Sequence, residues 1–162
     1  MKRVIELASL MVIMAIMLFQ FHTFNKMFIP VSLKDDNIVE LKLLKLGAPQ
    51  NKVKSLADAI TVASKQTDIS SNLLIALIYT ESSFNHNAKS SKNYNGYMQI
   101  PYILPWADAN VLIGARILKE KLRITDGDLK KALCLYKGWK VTDSRGLFEA
   151  NKVIKLYKSI EI

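Results

Sequence analysis

The chain has 162 residues, half of them apolar, which gives room for one domain with a real core and a short appendage. Its single cysteine, Cys134, excludes an intramolecular disulfide in any compartment. A formal net charge of +9 suits anionic polymers, whether cell wall, phospholipid headgroups or nucleic acid, although Lys-rich solvated helix faces produce the same balance.

The first element is the apolar run VIELASLMVIMAIMLFQF at residues 4–21, which follows Lys2 and Arg3 and holds one charge, Glu6. That is the pattern of a targeting signal. Its uninterrupted part, residues 7–19, is short against the roughly 20 residues of a spanning helix and fits the roughly 7–15-residue core of a secretory signal. No small-x-small site follows, because residues 20–26 read QFHTFNK. Residues 1–28 are therefore expected to be a signal peptide or, by slight preference, an uncleaved inner-membrane anchor with its basic end in the cytoplasm. The rest of the chain is then periplasmic. A buried core helix is the weaker alternative. No cysteine stands where lipid would attach, so a lipoprotein is not expected. Residues 1–28 hold a net charge of +2, which leaves +7 on the exported part, and export makes nucleic acid the weakest of the anionic partners.

Residues 29–50 contain Pro30, Gly47 and Pro49 around an amphipathic piece, and read as a tether carrying one short helix. A mostly α domain is expected over residues 51–162. Val53, Leu56, Ala57, Ile60 and Ala63 recur at helical intervals. Ser70 or Ser71 can then cap NLLIALIYTESS, whose apolar run is too continuous for a surface helix. Residues 85–105 have neither period and are rich in Asn, Ser, Gly and Pro. A loop of that length inside a compact domain tends to be functional, and it has room for a short strand pair. Helices resume in WADANVLIGARILKEKL, with Asp108 or Asn110 as cap and a stripe of Val111, Leu112, Ala115, Ile117, Leu118 and Leu122. DGDLKKALCLY and FEANKVIKLYKSI follow the same rule. Cys134, inside KALCLY, reads as a packed, inert thiol. His22 and His86 stand far apart with no Cys or Glu at ligand spacing, so no zinc site is expected.

The sharpest feature is where the buried helix gives out, in IALIYTESSFNHNAKSS. Glu81 lies three and four residues beyond Ile78 and Leu77, which puts it along the buried stripe. Desolvation and the negative helix end both penalise its charged form. A carboxylic acid kept neutral can protonate a poor leaving group such as a sugar oxygen. A frayed-end glutamate facing water is the plainer alternative.

Four blocks around this residue, ESSFNHNAKS, NGYMQIP, NVLIGARIL and ALCLYKGW, come in a telling order. The first begins glutamate–serine–any–phenylalanine, with Ala88 and Ser90 seven and nine positions after Glu81; the second supplies glycine–any–methionine–glutamine. In that order and spacing, residues 72–139 resemble the lytic transglycosylases, the SLT-domain, lysozyme-like enzymes of glycoside hydrolase family 23. The resemblance implies a lysozyme-like helical domain with a long active-site loop, peptidoglycan as substrate, and no metal or organic cofactor. Glu81 would be the single catalytic acid/base. It would protonate the oxygen bridging MurNAc and GlcNAc, then take the proton of the sugar's own 6-hydroxyl as that oxygen closes onto C1, leaving a 1,6-anhydro end. Ser90 would contact the N-acetyl group, Met98 and Gln99 would line the cleft, and Tyr136 would orient the glutamate by a hydrogen bond. Gly96 and Gly114 match positions of close approach. Small members of the family often accompany secretion or conjugation apparatus, so such a machine is the implied partner.

The chain departs from the family pattern at four places. His86 replaces proline, Tyr97 replaces leucine, Lys137 replaces asparagine, and Trp139 stands at the usual glycine. Tyr97, Trp106 and Trp139 are candidate sugar platforms, with core or cleft-wall packing as the alternative. The carboxylates considered after Glu81, namely Asp108, Glu120, Asp126 and Asp128, sit at helix starts or on polar faces. That favours cyclisation over two-carboxylate hydrolysis. Two other functions remain on the same fold: a non-catalytic peptidoglycan-binding or assembly protein, and a goose-type lysozyme hydrolase.

Overall fold

The computed structural model describes residues 33–104 and 106–160. The apolar run at residues 4–21, and with it the signal or anchor, lies outside the described residues. In chain order the helices are α1 (Leu33–Lys45), α2 (Gln50–Thr67), α3 (Ser71–Ser82), α4 (Ala107–Ile124), α5 (Leu129–Tyr136) and α6 (Ser144–Ile160). Among the described residues there is no strand, only two isolated antiparallel bridges, Lys89 with Asn95 and Asn95 with Ile100. None of these helices is long and apolar enough to cross a membrane.

Helix α3 is the axis. Every residue from Leu73 to Ile78 is buried, and Leu74 to Ile78 have no exposed surface at all. A helix with no polar side can sit only at the centre of a bundle. Helix α6 lies along it, with α5 bridging α6 and α4; α2 packs on α4, and α1 packs on α2. The helical spacing of Val53, Leu56, Ala57, Ile60 and Ala63 turns all five inward from α2. In α4, Val111, Ala115 and Leu118 are buried, while Leu112, Ile117 and Leu122 pack against the core from its margin. At α5, Asp128 caps the helix by accepting the Lys131 N–H at 3.0 Å. Ser70 does occupy the position before α3, without a side-chain capping bond. Trp106, not Asp108 or Asn110, precedes α4, and the Asn110 side chain is used elsewhere.

The segment expected to be a tether carrying one short helix, residues 29–50, holds helix α1 from Leu33 onward. Helix α1 buries Val39 and Leu43, and Lys42 Nζ donates to Asn72 Oδ1 at 2.8 Å, so this helix is a layer of the compact unit that begins at Leu33. Gly47, at φ +84°, reverses the chain, and the Ala48 N–H returns to Leu43 O at 3.0 Å. The left-handed turn is the usual way to close a helix C-terminus. Replacing Leu43 by Ala is expected to lower unfolding stability by about 2–5 kcal/mol in denaturant titration, whereas a free tether would lose nothing.

Candidate active site

Three features hold Glu81 in place. The buried run from Leu73 to Ile78 fixes the helix that carries it. The hydroxyls of Thr80 and Ser82 donate back to Leu77 O and Ile78 O at 3.0 and 3.1 Å, and the Ser83 and Asn85 N–H groups close the end of the helix on Tyr79 O and Ser82 O at 2.9 and 3.0 Å. Ser83 and Phe84 then both take left-handed conformations, φ 49° and 62°, and turn the chain sharply away while Phe84 is buried. Glu81 is left on the lining of a pocket of about 220 Å³, with its side chain 14% exposed.

The loop of residues 85–104 forms one wall. It is held by a knot of hydrogen bonds in place of a sheet. Asn95 and Ile100 exchange backbone bonds at 2.9 and 3.1 Å, and the Gly96 N–H reaches Ala88 O at 2.9 Å. Gln99, at φ 47°, donates through Nε2 to Ala88 O and Gly96 O, both at 3.0 Å. Asn110 of α4, buried, ties this loop to the bundle: its Oδ1 accepts the Met98 N–H and its Nδ2 donates to Asn95 O, each at 2.9 Å. Gly96 lies so close that a Cβ there would stand 2.3 Å from Asn110 Nδ2. Gly114 permits a similar approach a turn further along α4, where a Cβ would meet the Met98 side chain at 2.6 Å. These contacts give the close approaches expected at Gly96 and Gly114 a concrete cause.

The opposite wall comes from the end of α5 and from α6. Tyr136 is the last residue of α5, and its hydroxyl donates to Met98 O at 2.8 Å. Burial, with the negative charge of Glu81 as a second cause, pushes its phenol well above the usual range. Lys137 caps α5 and places Nζ 2.5 Å from Glu81 Oε1, with its own side chain only 10% exposed. Gly138, at φ +78°, supplies the left-handed turn that follows. Trp139 can therefore occupy the next position as an element of the pocket wall. Its ring carries Lys92 Nζ 5.5 Å from the centroid. Gly146 of α6 lets the helix come in behind it, since a Cβ there would stand 2.4 Å from Trp139 Cβ and 2.6 Å from Cys134 Sγ. The Cys134 thiol is buried and donates to Lys140 O at 3.0 Å; burial, then the charge of Asp143, pushes its ionisation up, as befits an inert packed group.

Of the site residues expected from sequence, the pocket brings together Glu81, Ser90, Gln99, Tyr136 and Trp139. The others differ in instructive ways. The Met98 side chain has no exposed surface and packs under Gly114, so only its carbonyl contributes, as the acceptor for Tyr136. The hydrogen bond expected from Tyr136 to the glutamate thus goes to Met98, and the group bonded to Glu81 is Lys137. Tyr97 is buried edge-on against the His86 ring at 5.4 Å, so it is core and offers no face to sugar. Trp106 is 68% exposed but lines a separate groove between α2 and α4 with Val62 and Leu112. Sequence reasoning missed Lys92, Tyr94 and Glu149, which also line the pocket. Glu149 is the telling omission, a second carboxylate on the wall, held by Lys152 Nζ at 2.7 Å. Its only signal was its place beside the inward stripe of Gly146, Ala150 and Val153 on α6. Asp108, Glu120, Asp126 and Asp128 do not line the pocket. Among the described residues no group of three or more His, Cys, Asp or Glu could hold a metal ion.

Residues 58–102 match the family model of the transglycosylase SLT domain. The matched segment carries Glu81 and the loop wall through Gln99, while Tyr136, Lys137, Trp139 and Glu149 lie beyond it. No curated protein gives a match to the chain.

The Asn110 side chain joins the loop wall to α4 by two hydrogen bonds, one of them buried. Asn110→Ala is expected to cost about 1–3 kcal/mol, since it leaves the buried Met98 N–H unpaired, while Asn95 O keeps the Ile100 N–H. Hydrogen exchange should locate the loss, with protection falling at Met98 and the loop around it before the helices are affected.

Proposed function

From a transglycosylase SLT domain at residues 58–102, we propose that the protein is a peptidoglycan lytic transglycosylase that cleaves the β-1,4 bond between MurNAc and GlcNAc without water. The observation that carries this reading is the position of Glu81, a carboxylate 14% exposed at the end of a helix buried from Leu73 to Ile78, on a pocket that Ser90, Gln99, Tyr136 and Trp139 also line. In the first step Glu81, protonated, gives its proton to the bridging oxygen as the C1–O bond breaks. The positive charge that develops at C1 and the ring oxygen is met by the carboxylate left behind. That carboxylate then takes the proton of the 6-hydroxyl while O6 bonds to C1, which closes the 1,6-anhydro ring and returns Glu81 to its starting state. One carboxyl group serves both steps, because nucleophile and leaving group lie on the same substrate. Ser90 would take the N-acetyl group, and Trp139 would lie against a sugar face. Tyr136 acts through Met98: its hydrogen bond fixes the loop that carries Gln99 relative to the helix end that carries Lys137.

The setting proposed is the periplasm, with residues 4–21 as signal or inner-membrane anchor and a secretion or conjugation apparatus as the machine whose passage the cut strands allow. Two other readings have a specific observation behind them. Glu149 on the pocket wall supplies the second carboxylate that a goose-type hydrolase would use. The ion pair between Lys137 and Glu81 is the arrangement a retired, sugar-binding site would have.

Product mass separates the first two readings. Digested sacculi are expected to release muropeptides with 1,6-anhydro ends, one water lighter than the reducing-end products of hydrolysis. Glu81→Gln keeps the shape and cannot give up a proton, so it should lose roughly 10²–10⁴-fold in rate while the helical fold is retained by circular dichroism, with a lowered unfolding midpoint because Lys137 loses its counter-ion. Wild type and Glu81→Gln that bind sacculi equally, with neither releasing fragments, would identify a binding protein.

A further inference from the structure

The charged groups of the pocket are unevenly satisfied. Glu149 is held by Lys152 at 2.7 Å, and Glu81 is held by Lys137 at 2.5 Å with both side chains nearly out of solvent. Among the described residues no carboxylate pairs with Lys92, the remaining charged side chain of the lining, whose ammonium stands over the Trp139 ring. The resting pocket therefore offers one uncompensated cation and hides its acid inside an ion pair. Such a carboxylate is not a proton donor. For Glu81 to act, Lys137 must give up its grip, and a nearly buried ammonium leaves one carboxylate readily only for another anion.

We propose that this exchange is the specificity device of the site: a carboxylate on the glycan substrate, drawn in by Lys92, takes the Lys137 ammonium and so frees Glu81 for its acid role. The proposal rests on the transglycosylase reading and names the substrate class within it, strands bearing a carboxylate beside the scissile bond. No bond is made or broken in the exchange. Freed of that counter-ion, Glu81 can exchange a proton with the bulk solvent, the step its acid role requires. Two features of muramic strands provide the anion, the lactyl carboxylate of a residue without its stem and the carboxylates of the stem peptide. Both are the same chemistry to a lysine. Neutral strands of the chitin type provide neither, and they leave Glu81 locked. Lys137 is in these terms a positioning residue, acting through Glu81, and its position at the end of α5 next to Tyr136 is where the resembled family has an uncharged amide.

The test is a ratio of rates on matched strands. Full-length protein would be assayed on stem-free muramic strands with the lactyl carboxylate free, on the same strands with that group converted to its methyl amide, on stem-bearing strands with free and with amidated stem carboxylates, and on chito-oligosaccharides of equal length. Wild type is expected to cleave a carboxylate-bearing strand at least about tenfold faster than its amidated counterpart, the discrimination a single partly buried charged hydrogen bond supplies. The lactyl and stem arms show which source is used. Lys137→Gln should bring the ratio toward one by raising the rate on neutral strands, Lys137→Arg should keep it, and Lys92→Gln should weaken it through KM. A residue that only supports the fold would lower both rates together and leave the ratio alone. A wild-type ratio near one, or an undiminished ratio in a folded Lys137→Gln protein, would overturn the exchange. Should Lys137→Gln not fold, Lys137→Asn and the wild-type ratio, which needs no variant, decide the matter. If wild type cleaves no strand at all, that failure belongs to the lytic reading, and the exchange is judged by equilibrium binding, where equal affinity for charged and amidated strands refutes it.

Discussion

A helix buried on every side has no freedom to slide or roll, and the polar residue where it ends is held as firmly as the core beside it. Helix α3 is such an element, with no exposed surface from Leu74 to Ile78. Sliding or rolling it would break the packing of the side chains from Leu74 to Ile78, and each large one so disturbed costs several kcal/mol. The packing of six helices thus fixes one carboxylate, and the site is assembled around it. Two successive left-handed residues, Ser83 and Phe84, carry the chain off immediately afterwards, so the carboxylate ends at an opening instead of against more protein.

The loop wall gains its rigidity in another way. Residues 85–104 have no ladder and no helical turn, and a segment of this kind ordinarily samples many conformations. Here its backbone groups are taken up by a few side chains: Gln99 on Ala88 O and Gly96 O, Asn110 on Met98 N and Asn95 O, and Tyr136 on Met98 O. The approach of Asn110 depends on Gly96, where a Cβ would stand 2.3 Å from Asn110 Nδ2. Met98 joins the two walls, its side chain packed against Gly114 while its carbonyl accepts from the tyrosine hydroxyl.

Charge is arranged with similar economy. On the pocket lining Lys137 meets Glu81, Lys152 holds Glu149, and Lys92 is left above an indole. An ion pair removed from solvent is seldom a net source of stability, because desolvation offsets most of the attraction. In this cleft it fixes which partner the acid faces, an ammonium that asparagine at position 137 would not provide.

The local rules of helix periodicity were enough to bring most of the architecture out of the residues. The inward stripes of α2 and α4, the all-round burial of α3 and the irregular segment after it follow from where apolar side chains recur, and that recurrence is written in the chain itself. Glu81, Ser90, Gln99 and Tyr136 were legible too, since they belong to short blocks with fixed spacing. What the chain order could not supply was proximity across it. Lys137 is 56 residues from Glu81, and Glu149 reaches the same pocket from α6, so nothing local marks either as a neighbour of the acid. The same holds for the aromatics, where Tyr97, Trp106 and Trp139 looked alike until packing buried one, exposed another beside a different groove and set the third in the wall. Which faces had to be hidden is a matter of hydrophobic pattern, and the chain carries that pattern openly; which charges meet is a matter of distance, and those distances exist only once the chain has folded.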